Sequence, residues 1–438
     1  MNREERRERR QNDTKKAAII VICLLLVITV IGAVGIFAVS KLITNKSANE
    51  TLPKTEGETE IKTETQQSAV TEQAQVQPQV DVYEQQAVEL VSGMSLEDKV
   101  AQMFVITPNA LTGYPSVTAA GETTKEAYTG SPVGGIIYMA DNLVDKEQTT
   151  TMLSNMQTIA VERTGLPVFL CVDEEGGSVA RIASNEAFGV TDVGNMSDIG
   201  ATGDTQNAQN AGKIIGMYLA ELGFNVDFAP VADVLTNENN TIIGKRAFGS
   251  DSQVVANMVS AELEGLAEAG IYGTVKHFPG HGDTDGDSHE EAAVTEKTLE
   301  ELMAGELLPF QSAINNGVSF VMVGHISAPN VTGETTPASL SRMLVTDVLR
   351  TQMGYNGIVI TDAMNMDAIT KKYNSDNAAV MAVEAGVDMI LMPADYQKGY
   401  EAILQAVKDG KITEERINES VTRIVKVKLQ MQQPATTE

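Results

Sequence analysis

Three of the chain's four histidines fall within fourteen residues, Lys276-His277-Phe278-Pro279-Gly280-His281-Gly282-Asp283-Thr284-Asp285-Gly286-Asp287-Ser288-His289. Such a concentration of imidazoles and carboxylates serves either metal ligation or proton transfer. As a metal site the segment mimics a calcium loop, with Asp283, Asp285 and Asp287 at the first three ligand positions. The mimicry fails where such a loop needs Gly at its sixth position and Glu at its twelfth, because Ser288 and Val294 stand there. Zinc finds neither a His-Glu-x-x-His helix pattern nor a Cys pair, so no metal and no other cofactor is expected. Proton transfer fits better. Asp287 and His289 are two apart, so in extended backbone their side chains share one side, and the carboxylate can orient the imidazole and stabilise its cation. An ordinary histidine pKa of ~6.5 suits a group that gives up a proton and takes one back near neutrality. Read alone, Asp-Ser-His is also compatible with a plain Asx-type turn.

These residues need a frame. From Tyr83 onward, short apolar runs alternate with amphipathic stretches, the pattern of strands followed by crossover helices. Strands are expected at Gln102–Thr107, Val133–Met139, Pro167–Val172, Phe224–Phe228, Gly273–His277, Ser319–His325, Gly357–Thr361 and Val387–Met392. Runs such as VFLCV and FVMV are apolar throughout, as in strands covered on both faces. Eight such units predict an α/β fold, a (β/α)8 TIM-type barrel over residues 83–430, with an open doubly wound sheet as the other arrangement that the strand count permits. Ionisable residues gather at the strand ends: Asp173 after the third, Lys276 and His277 on the fifth, His325 on the sixth and Asp362 after the seventh. A barrel keeps its chemistry at the C-terminal ends of its strands, so these residues are expected to share one site. His325 has two readings, a pocket residue or a satisfied core residue.

The remaining features bear on partners and compartment. With 32 Lys+Arg against 59 Asp+Glu the net charge is −27, which argues against nucleic-acid binding. Residues 17–39 form an uncharged apolar run of 23 residues, where ~20 suffice to cross a bilayer. Seven basic residues in 1–16 predict a cytoplasmic N-terminal tail, and hence a single-pass anchor in the cell membrane with the barrel on the extracytoplasmic side. A cleavable signal peptide is the competing reading of that run. Residues 40–82, rich in Thr, Glu, Gln and Lys, are expected to be a disordered linker, and 431–438 a short tail.

The fourteen-residue block resembles the signature of the bacterial β-N-acetylglucosaminidases of glycoside hydrolase family 3. Further similar blocks occur in the same order: MSLEDKVAQMF (94–104), VGGIIYM (133–139), VDEEGGSVAR (172–181), NVDFAPVADV (225–234), IGKRAFGSD (243–251), PASLS (337–341), GIVITDAMNM (357–366) and AGVDMILMP (385–393). The resemblance implies that Asp362 is the nucleophile of a retaining double displacement and that His289, oriented by Asp287, is the acid/base. It also implies that Asp173, Arg181, Arg246, Lys276 and His277 bind the terminal sugar. Ser178 departs from the Arg common at that point of the family's EGGR block, which puts substrate contacts from that loop in question. With no Trp in the chain, sugar stacking falls to Tyr or Phe, as suits a small exo-pocket. The expected partner is a carbohydrate with terminal N-acetylglucosamine, such as a peptidoglycan fragment. A β-glucosidase, a glycoside phosphorylase and a non-catalytic wall-binding barrel are the other readings.

Overall fold

A computed structural model describes residues 81–284 and 293–432. Eight strands occur where apolar runs predict them: β1 Phe104–Ile106, β2 Gly135–Ile137, β3 Phe169–Val172, β4 Val226–Asp227, β5 Tyr272–Phe278, β6 Phe320–Val323, β7 Ile358–Thr361 and β8 Ile390–Leu391. Each lies parallel to its neighbour in sequence, from β1 beside β2 through to β6 beside β7. β8 pairs with β1, and a parallel bridge from Ile360 to Met389 joins β7 to β8. That bridge closes the sheet, which strand counting could not establish. The mainly apolar strands are buried on both faces, by the barrel interior and by the helices outside.

The helices begin and end where the sequence provides caps. Asp145, Asp204 and Asp251 accept backbone N–H bonds at the starts of Lys146–Thr164, Thr205–Leu222 and Ser252–Glu268. Gly165 and Gly223 end the first two in the left-handed region, at φ 72° and 100°. Thr205–Leu222 and Ser252–Glu268 approach so closely that a Cβ at Gly265 would lie 2.1 Å from the Gln209 carbonyl oxygen. Inside, the rings of Phe169 and Phe320 pack edge to face at 5.2 Å between centroids.

One expectation is corrected. The fold was expected to be a barrel preceded by a membrane-spanning helix and a linker. No helix among the described residues is long and apolar enough to cross a membrane. The longest of them, Lys146–Thr164, carries Lys146, Glu147, Glu162 and Arg163 and is half-polar, as a barrel's outer helix must be. Residues 17–39, on which the expected span fell, lie outside the described residues, as do 1–16, most of the expected linker and 433–438.

A buried lysine closes the N-terminal mouth of the barrel. Lys428, on the helix Glu414–Met431, donates to Gln102 Oε1 at 2.6 Å and sits 5.1 Å above the Phe169 ring. Burial pushes its pKa down to about 7, against ~10.4 in an unfolded chain. Between those values the unfolded chain holds the extra proton, so this group makes stability climb as pH rises from about 7 towards 10. Lys428→Met is expected to remove the climb. By denaturant titration, the variant's stability relative to wild type should be better at pH 6 than at pH 10 by on the order of 4 kcal/mol. A difference that does not change with pH would refute this account.

Candidate active site

The C-terminal ends of the strands converge on a network of opposite charges centred on Glu175. This side chain is only 1% exposed and follows β3 by three residues. Its carboxylate accepts from Arg246 Nε at 2.7 Å and Nη2 at 2.8 Å, a bidentate pair, and contacts Lys276 Nζ at 2.5 Å. Burial would raise the Glu175 pKa, but the Lys276 and Arg246 cations outweigh it and hold the carboxyl far below the usual range. In return, burial would lower the Lys276 pKa, and the Glu175 and Asp173 carboxylates more than offset this. Both partners are therefore ionised, and each desolvated charge is paired.

Two members of this network face solvent. Lys276 Nζ donates to Asp173 Oδ1 at 3.0 Å, and Arg181 Nη2 lies 3.9 Å from Asp173 Oδ2. Arg181 is about a third exposed, yet its Nε is buried without a hydrogen-bond partner. A guanidinium and a carboxylate held side by side at a barrel mouth offer donors and acceptors to vicinal hydroxyl groups.

The next layer is built on histidine. His277, on β5, is buried, and its Nδ1 lies 2.7 Å from Asp233 Oδ2 while its Nε2 lies 3.4 Å from Arg246 Nη2. His325 is fully buried between the Ser339 hydroxyl at 2.8 Å from Nδ1 and the Ala363 carbonyl oxygen at 3.0 Å from Nε2. It satisfies its core position and at the same time braces the residue next to Asp362. Asp362 follows β7 half-buried, with Oδ1 accepting from the Ala363 N–H at 2.7 Å. Burial would raise its pKa, but the nearby His277 and His325, the Ala363 N–H and Lys276 outweigh that and leave it below the usual carboxylate range. Asp362 is thus an ionised carboxylate at the mouth of the barrel, with one oxygen fixed by its own chain.

Six of the eight residues singled out in the sequence lie at this end of the barrel. Asp173, Arg181, Arg246, Lys276 and His277 are linked by direct contacts, and Asp362 is coupled to them through charge. Asp287 and His289 lie outside the described residues. Two buried carboxylates that organise the site, Glu175 and Asp233, escape sequence reasoning. Their signals were available: an acidic triplet straight after an apolar strand, and one carboxylate inside the apolar run APVADV, each demanding a buried partner. Among the described residues no group of three or more His, Cys, Asp or Glu side chains is placed to hold a metal ion. A cavity of about 670 Å³ opens at the opposite, N-terminal face, lined in part by Pro167, Asn225, Tyr272 and Ser319, and holds none of this chemistry.

A family profile described as "Glycosyl hydrolase family 3 N terminal domain" matches residues 95–427. Beta-hexosaminidase A of Pseudoalteromonas piscicida is 35% identical over 329 residues, covering 70% of this chain and 54% of that protein. Beta-hexosaminidase LpqI of Mycobacterium tuberculosis is 32% identical over 345 residues, covering 76% of this chain and 83% of that one. This chain thus spans about half the length of the first relative and most of the second. Among solved structures, a glycoside hydrolase family 3 beta-N-acetylglucosaminidase from Paenibacillus sp. superposes with a TM-score of 0.72 at 38% identity, over 79% of this chain and 64% of that one.

Proposed function

This chain belongs to glycoside hydrolase family 3, and from that premise we propose that it is a retaining exo-glycosidase releasing terminal β-linked N-acetylglucosamine, with cell-wall peptidoglycan fragments as substrates. The observation that carries the reading is an ionised Asp362 beside the network of Asp173, Arg181, Arg246, Lys276 and His277. The names of the relatives, hexosaminidases and an acetylglucosaminidase, support the choice of sugar.

In this reading the charged network grips the hydroxyls of the non-reducing sugar and sets the anomeric carbon against Asp362. Asp362 attacks to form a glycosyl ester while His289, oriented by Asp287, protonates the departing oxygen. The same histidine then takes a proton from water, which opens the ester with net retention. Cations around Asp362 keep it ionised and help it leave in the second step.

Chromogenic β-glycosides of N-acetylglucosamine and of glucose, assayed with and without phosphate, test the proposal. The N-acetylglucosaminide is expected to be cleaved in phosphate-free buffer, with kcat/KM at least about tenfold above the glucoside. Turnover that requires phosphate, a preference for glucose, or no turnover of either would overturn it. Release of N-acetylglucosamine from muropeptides bearing it at the non-reducing end tests the substrate class.

A further inference from the structure

We propose that Glu175 is a positioning residue for sugar binding, one that holds Lys276 and Arg246 together as a fixed pair of cations and does not itself reach the sugar; this rests on the glycosidase reading of the site. Three donors from two distant segments of the chain take up both of its oxygens. Oε2 accepts from Arg246 Nε at 2.7 Å, while Oε1 accepts from Arg246 Nη2 at 2.8 Å and meets Lys276 Nζ at 2.5 Å. With its side chain 1% exposed, Glu175 is shut away from the mouth that Asp173 and Arg181 face.

The two cations keep donors in hand for hydroxyl groups. Of the three N–H groups of Lys276, one goes to Asp173 Oδ1 at 3.0 Å and one to Glu175. Of the five of Arg246, two go to Glu175, one to the Ile242 carbonyl oxygen at 3.2 Å and one towards His277 Nε2 at 3.4 Å. Among the described residues these contacts leave one N–H on each cation. Two positive charges in a corner largely closed to water repel each other strongly, and burial opposes both of them. Asp173 touches Lys276 and lies beside Arg181, whereas Glu175 touches Lys276 and Arg246 alike. Glu175 therefore sets the spacing of the two remaining donors, and neighbouring hydroxyls of one sugar ring read that spacing.

Glu175→Gln separates this role from simple bracing. The amide has the same shape, but it lacks the charge that holds two cations and turns a donor towards one of them. The experiment measures kcat and KM on a chromogenic N-acetylglucosaminide and on a disaccharide, and the inhibition constant of N-acetylglucosamine, for wild type, Glu175→Gln, Lys276→Met and the double variant, alongside their melting temperatures. Glu175→Gln is expected to raise KM and the inhibition constant roughly tenfold to hundredfold and to lower kcat by less, because the sugar is gripped in ground state and transition state alike. The loss in kcat/KM should be the same for both substrates, since no proton donor is touched. In the Lys276→Met background the same change should cost at least about threefold less, because Arg246 then has no second cation to be held against. A fall in kcat with KM and the inhibition constant unmoved, a loss that follows the leaving group, or losses that simply multiply in the double variant would overturn the proposal. Should Glu175→Gln fail to fold, the double variant decides: recovery of the fold on removing one cation supports the proposal, and failure to recover overturns it. A wild type with no glycosidase activity would overturn the underlying reading instead, a distinct and separately visible result.

Discussion

Asp362→Asn is expected to abolish turnover, lowering kcat by ~10⁴-fold or more on both aryl and disaccharide substrates, while the melting temperature stays within a few degrees of wild type. The chemical reason is that an amide cannot form the glycosyl ester. The structural reason is that Asn keeps an oxygen for the Ala363 N–H, the bond that fixes this side chain at 2.7 Å. Removing a negative charge surrounded by His277, His325 and Lys276 leaves those groups with less opposing charge, so the small change in stability can fall on either side of zero. The pH profile carries a second signature. Because the Asp362 carboxyl is held below its ordinary range, wild-type activity should persist at acid pH until the nucleophile protonates, and its acid limb should lie lower than an ordinary aspartate would place it. Substantial turnover by Asp362→Asn, measured on enzyme freed of wild-type contamination, would remove Asp362 from the mechanism.

His289→Ala is expected to separate substrates by their leaving groups. On a disaccharide, whose departing alkoxide needs a proton, kcat/KM should fall by about 10²- to 10⁴-fold. On a nitrophenyl glycoside, which departs with little help, the first step should change by about tenfold or less. The second step still lacks its base, so glycosyl-enzyme should accumulate and appear as a burst of nitrophenolate. Asp287→Ala should follow the same pattern more mildly, since it disturbs the orientation and charge of the imidazole and leaves the proton carrier in place. A metal site in this segment would behave otherwise: both substrates would suffer alike, and a chelator would inactivate the wild type. Equal losses on both substrates together with chelator sensitivity would replace the acid/base account.

The contrast between those two residues is instructive about what a sequence conveys. Asp362 was legible because it follows GIVIT, an apolar strand that ends at the working face of a barrel. His289 was legible only by its spacing from Asp287 and by family resemblance.

What the sequence determined by itself was local and periodic. Apolar runs placed all eight strands, and Asp and Gly at helix ends placed the helices between them, because burial on both faces and backbone capping are satisfied within a few residues. Ordered motifs identified the family. Only the tertiary structure decided that the sheet closes, through the bridge between Ile360 and Met389, since closure depends on the twist and stagger summed over every strand. Only it decided the partners of the charged residues. Glu175 meets Arg246 and Lys276, residues 71 and 101 positions away, and Asp233 reaches His277 across 44. Such pairings are set by which strand ends the closed barrel brings side by side. They are strong there because the same closure excludes water; the local sequence signals that these carboxylates are buried, but not which distant residues meet them.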